Sequence, residues 1–160
     1  MRLPVIIFSF MLSATLIACG NGNGNGGDAS SRSASSGAAQ EAGLSDFELE
    51  HGIGPITSPM TMGDFDIEMA ARGQDIFESK CAACHQMENR LVGPPIEGLT
   101  ERRSPEFLMN MILNPNDMAR KHPEGQKMMQ EYMMVMPFQN VSENEAREIV
   151  EYFRQIDKGL

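Results

Sequence analysis

Two kinds of hydrophobic pattern divide this chain. Val5 to Ala18 is an almost unbroken apolar run of 14 residues behind the basic start Met1-Arg2. Beyond residue 62 the apolar positions recur instead at helical spacing. Ile67, Ala70, Ala71, Phe77 and Cys81 mark a helix from Asp66 to Lys80, with Asp66 placed to cap it. Gly73 inside that helix costs about 1 kcal/mol against alanine, which implies close approach of another backbone or ring. Ser104-Pro105 reads as an N-cap followed by a proline in the first turn, with Phe107, Leu108, Met111 and Ile112 as the apolar face. Asn114-Pro115 ends that helix. Pro123 to Tyr132 reads as a further short helix. Ser142-Glu143-Asn144-Glu145 matches a capping box, and Ala146, Ile149, Val150, Phe153 and Ile156 form one stripe behind it, with Tyr152 at its edge. No run alternates with period two. The expected fold class is therefore all-α.

The first apolar run is shorter than the roughly 20 residues of a spanning helix, so residues 1–18 read as a signal peptide. Its end, Leu16-Ile17-Ala18-Cys19, resembles the bacterial lipobox and implies that Cys19 carries lipid. The alternative is an ordinary signal peptide followed by an unpaired cysteine. Asn21 to Gly27 is low-complexity and Ser30 to Gly37 is nearly all Ser, Ala and Gly. Such composition buries too little apolar surface to offset chain entropy, so residues 19–62 read as a lipidated cysteine and flexible tether. Its reach is about 35 Å on random-coil scaling. Within it, residues 50–56 could pack on the domain, and His51 reads as a surface residue. The protein is expected to be exported and to face the periplasm, tied to the inner or the outer membrane.

Residues 63–160 form one small domain with 17 acidic and 11 basic side chains. That balance excludes nucleic acid, which requires a basic patch. A core of this size is marginal by itself. The whole chain has no Trp and 14 Met, most of them assigned to packing.

The candidate chemistry lies at Cys81-Ala82-Ala83-Cys84-His85. Two thiols three positions apart can reach both vinyl groups of one porphyrin, and the adjacent histidine then lies under the ring. A redox dithiol or a metal clip is the alternative for the pentapeptide alone. The three cysteines cannot all pair, but two on haem and one on lipid leave none over.

From residue 66 to 157 the chain resembles a small class I monohaem c-type cytochrome. Gly73 to His85 resembles that family's first helix and haem-binding turn. The resemblance implies one covalent haem c on Cys81 and Cys84 with His85 as an iron ligand. It also implies packing of Gly73 and Phe77 against Tyr152. Gly93-Pro94-Pro95-Ile96 resembles the family's Gly-Pro-x-Leu loop, so the Pro94 carbonyl is expected to take the Nδ1 proton of His85. Arg102 or Arg103 lies where the family often pairs a propionate. Met136-Pro137-Phe138 resembles the axial Met-Pro motif, making Met136 the expected sixth ligand, with Met133 and Met134 as alternatives. His122, the bis-His candidate, reads as exposed loop. The run from Arg102 to Pro115 resembles cytochromes that accompany nitrous oxide reductase, which implies a periplasmic copper reductase as partner; a terminal oxidase is the other redox partner considered.

Three functions compete. Iron saturated by His85 and Met136 would make an electron carrier with no acid–base residue. A haem peroxidase or gas-binding sensor would need an open or displaceable sixth position and a distal His or Arg, which the sequence does not offer. A thioredoxin-like dithiol or metal site lacks a βαβ pattern and a second ligand pair.

Overall fold

The computed structural model describes residues 43–160, which form seven helices and, among these residues, no strand. In order they are α1 (Asp46–His51), α2 (Ile67–Lys80), α3 (Leu99–Arg102), α4 (Pro105–Leu113), α5 (Pro115–Lys121), α6 (Pro123–Tyr132) and α7 (Glu143–Lys158). The expected signal peptide, Cys19 and the Gly/Asn/Ser segment lie outside the described residues. Among the described residues no helix is long and apolar enough to cross a membrane.

Local chemistry sets the helix boundaries. Asp66 Oδ1 accepts from the Glu68 and Met69 amides at the start of α2, satisfying donors that have no partner within the helix. Ser104 caps α4 by accepting from the Phe107 amide. At α7 the capping box closes both ways: Ser142 N–H donates to Glu145 Oε2 at 2.7 Å, and Glu145 N–H donates to Ser142 Oγ at 3.2 Å. Proline occupies the first turn of α4, α5 and α6, where its missing N–H costs nothing. Asn114-Pro115, expected to end a helix, ends α4 and also starts α5.

The frame of the domain is the crossing of α2 and α7. A Cβ on Gly73 would overlap the Glu148 carbonyl oxygen, so α2 meets α7 there backbone to backbone. One turn on, the Phe77 ring lies 5.7 Å from Tyr152 and 5.9 Å edge-on from Phe153. Ala146, Ile149 and Val150 complete this buried seam, and α4 adds Leu108, Met109 and Ile112.

Residues assigned to the tether are part of the folded domain: structure upstream of residue 63 is ordered from Ser45 onward. Ser45 and Glu48 form a capping box that nucleates α1, and residues 51–62 then run as a strap over α4 and α5. Ile56 is buried, and the strap's polar backbone groups are taken up by side chains of the domain. His51 is correspondingly half-buried, with Nδ1 2.8 Å from Ser104 Oγ.

Candidate haem site

The Cys-x-x-Cys-His run follows α2 as a tight turn. The Cys81 carbonyl accepts from the amides of both Cys84 and His85 at 3.0 Å, which closes the turn tightly. Neither thiol is in a disulfide. Cys81 packs against the core, and burial pushes its thiol pKa above the ordinary value, so it stays neutral.

His85 is fixed from two directions. Its Nδ1 donates to the Pro94 carbonyl at 2.9 Å, which assigns the proton to Nδ1 and leaves Nε2 free as a ligand atom. Gly93 backs the same ring: any Cβ there would overlap His85 Cε1. The loop is held in turn by Gly93 N–H on the Cys84 carbonyl and by the Ile96 and Glu97 amides on Met87. Asp157 of α7 then accepts from the Gly98 and Thr100 amides at 2.6 and 2.9 Å, fastening the loop's far end.

Cys84 and His85 line an almost wholly apolar cleft that is partly open to solvent. The facing wall comes from α4 to α6 and the segment after α6. Its thioethers are Met111, Met128, Met129, Met134 and Met136. Met136 is half-buried, whereas Met134 is 53% and Met133 86% exposed, and Met133 is not part of the lining. Apart from His85, no His, Arg, Lys, Asp or Glu lines the cleft among the described residues.

Two expected residues lie elsewhere. Arg102 is exposed and does not line the cleft; its guanidinium turns back over Gly98 and donates to the Glu97 carbonyl at 3.1 Å. The left-handed Gly98, φ +74°, makes room for it because it has no Cβ. Arg103 is paired with Glu124 at 2.5 Å and stacked 4.7 Å over Phe107. His122, expected on an exposed loop, is 1% exposed and caps α6. Its Nδ1 accepts from the Glu124 amide and its Nε2 donates to the Leu49 carbonyl. Both ring nitrogens are occupied, which removes it from any ligand set. Burial lowers its pKa.

One contributor had no sequence signal. Arg90 spans the cleft rim, donating to the Glu131 carbonyl at 2.9 Å and lying 4.2 Å over the Tyr132 ring. It thereby clips the histidine loop to the C-terminal end of α6.

Comparison with known proteins converges with this geometry. The family model for cytochrome c matches residues 70–157. The chain belongs to the cytochrome c family. A solved structure of cytochrome c from Rhodothermus marinus is 36% identical, with a TM-score of 0.66 over 71% of this chain and 97% of its own. An engineered form of that protein, Rma TDE, matches at 36% identity and TM-score 0.65, over 69% of this chain and 96% of its own. The same engineered protein bound to a carbene intermediate (1-ethoxy-1-oxopropan-2-ylidene) matches at 37% identity and TM-score 0.63, over the same shares of both chains. No curated protein sequence matches. Family membership makes this cytochrome an electron-transfer haem protein with one covalent haem c, and the donor set fits that group: Cys84 and a tautomer-fixed His85 line an apolar, thioether-rich cleft, and Cys81, also a free thiol, packs against the core three residues before Cys84.

Proposed function

We propose that this cytochrome is a lipid-anchored, periplasm-facing carrier of single electrons between respiratory partners. Cys81 and Cys84 would hold the haem through their sulfurs, and His85 Nε2 and the Met136 sulfur would be the protein's iron ligands. The bound haem supplies a one-electron ferric/ferrous couple. The protein's residues do the rest: Pro94 keeps the His85 proton on Nδ1, Gly93 lets the loop close on the ring, and the apolar wall excludes water. A thioether ligand and low polarity both favour the ferrous state and raise the potential.

The observation that carries this reading is the chemistry of the cleft lining. It surrounds His85 with apolar side chains and the soft thioethers of Met111, Met128, Met129, Met134 and Met136, a low-polarity setting that suits a one-electron centre. Leu91, Val92, Met129, Met134 and Phe138 are exposed, three of them on the cleft itself, and suit the small, weak encounters of electron exchange. The membrane tie through Cys19 and a copper reductase or terminal oxidase as partner follow from the sequence resemblances alone.

A second reading is a gas-binding sensor or a haem enzyme with a displaceable sixth ligand. The carbene-bound engineered relative favours it as a latent capacity, released if Met136 is removed.

The test is spectroscopic. A haem c signature that survives denaturation, with a far-red methionine–iron band in the oxidised protein, is the expected result. Met136→Ala should keep the haem attached, lose that band, lower the potential and let imidazole bind. If the band and ligand exclusion both survive, Met136 is not the ligand. Cys19→Ser should release the protein from membranes without changing its spectrum.

A further inference from the structure

The strap covers the back of the helical layer whose front lines the haem cleft. On α4, Asn110 faces the strap and its neighbour Met111 lines the cleft. On α5, the Met118 sulfur accepts the strap's Ile53 N–H at 3.1 Å, while the adjacent Ala119 lines the cleft. At the head of α6, His122 donates to Leu49 of α1. The layer between strap and cleft is thus one helix thick.

Asn110 is the centre of the docking. It is fully buried, and its Nδ2 donates to the carbonyls of His51, Gly52 and Ile56 at 3.1, 3.2 and 3.0 Å. Its Oδ1 accepts the Ile56 N–H at 3.0 Å. A Cβ on Gly54 would overlap that Oδ1, so the strap lies directly on the amide. The two Nδ2 protons are shared among the three carbonyls, so this one side chain serves four backbone groups of the strap.

The docked strap bears on the methionine loop through two close contacts. Met118, which takes the strap's amide on its sulfur, presents its carbonyl to α6 at Gly125, where a Cβ would overlap it. The same α6 carries Met128 and Met129 of the cleft wall and leads through Met133 to Met136. A thioether accepts no strong hydrogen bond that could fix it, so its hold on iron depends on the packing of the segment that carries it.

We infer that Asn110 is a positioning residue for the sixth iron ligand: by docking residues 51–56 behind α4 to α6 it holds the methionine loop closed, and release of the strap weakens Met136 on the iron. This rests on the axial assignment of Met136 made above. The strap has two states, docked and released, and the ligand bond is biased by which one is occupied.

The experiment is an imidazole titration of the ferric holoprotein, followed by loss of the far-red band well below the unfolding temperature. Asn110→Ala should raise apparent imidazole affinity by about tenfold or more, because the fraction of open sites rises. In a Met136→Ala background the same substitution should change affinity by less than about twofold, since the bond it acts through is gone. An equal rise in both backgrounds would overturn the inference, because the strap would then govern access and not the ligand bond. A drop in thermal stability with no change in imidazole affinity would also overturn it, leaving Asn110 a purely structural residue. If Asn110→Ala does not accumulate, Gly54→Ala serves, since its Cβ pushes the strap off the amide while keeping every partner. A far-red band that persists in Met136→Ala overturns the axial assignment itself, and the inference with it.

Discussion

The two walls of the haem cleft are built on opposite physical terms. The histidine wall is specified atom by atom: a 2.9 Å hydrogen bond on Nδ1, a glycine with no room for a methyl group, and a loop whose amides have named acceptors. The methionine wall has one such point, Gly125, where α6 meets the Met118 carbonyl with no room for a methyl group. It is made of flexible thioethers, it includes exposed side chains, and Met133 and Asn140 flank Met136 in left-handed backbone conformations. A neutral imidazole must present one tautomer in one orientation, so its surroundings are rigid and polar at a single point. A thioether needs only proximity, so its wall can be soft in front while the strap supports it from behind.

The sharpest way to break the contrast is to remove a covalent hold. Cys84→Ala should abolish most haem attachment and most folded protein, because the cleft would lose its apolar filling; a haem-stained denaturing gel and a far-ultraviolet melt measure both. Next in size is a methyl group on the rigid wall. Gly93→Ala drives a Cβ into the His85 ring, a clash of the kind that costs about 1–3 kcal/mol. Its melting temperature should fall by several degrees and its far-red band should shift. Ala at Met129 on the soft wall should do much less, and equal losses at both positions would erase the distinction.

The rigid wall was legible in the sequence because each of its devices is local. Cys81 to His85 is contiguous, Pro94 lies nine residues on, and Ser142 with Glu145 announces its own capping box. Phe77 and Gly73 were legible as a pair only through the family resemblance; on the sequence alone Gly73 was a costly residue that implied a close approach. The strap was not. Its binding groups are backbone carbonyls of His51, Gly52 and Ile56, which carry no side-chain signal, and their partner Asn110 sits more than fifty residues away in an otherwise apolar helix. His122 misled for the same reason: a Lys-His-Pro setting reads as loop, yet Leu49 buries it from a distance. Arg102 misled through geometry, because the short α3 turns its guanidinium back onto Glu97.

Acid should loosen the support behind the soft wall before it touches the rigid one. Desolvation by burial lowers the pKa of His122 in the folded state, against the pull of Glu124 and with that of Arg103. A histidine with a depressed folded pKa contributes fully above its unfolded value, near 6.5, and loses that contribution as pH falls below it. Protonation also ends the acceptance of the Glu124 amide by Nδ1. The exchange protection factors of residues 46–56, corrected for the slower intrinsic exchange in acid, should therefore fall between neutral pH and pH 5 while those of α2 and α7 stay high. His122→Gln should flatten the response. Protection in α2 falling in step with the strap would mean that the two regions unfold as one.

The smallest expected effect probes the strain stored on the compliant side. Met133 ends α6 with φ 54°, a left-handed conformation that crowds any side chain's Cβ, and its own side chain is 86% exposed with little packing to offset that crowding. Glycine is the residue helices commonly place there, so Met133→Gly should gain about 0.5 kcal/mol, the relief of strain outweighing the added freedom of the unfolded chain. A thermal melt would register this as a rise of a few degrees at most. The spectrum should not change, because the thioether removed points to solvent and the one assigned to iron is three residues on. A lost far-red band in Met133→Gly would instead show that the bend at residue 133 aims Met136, and that the soft wall is more tightly specified than its exposure implies.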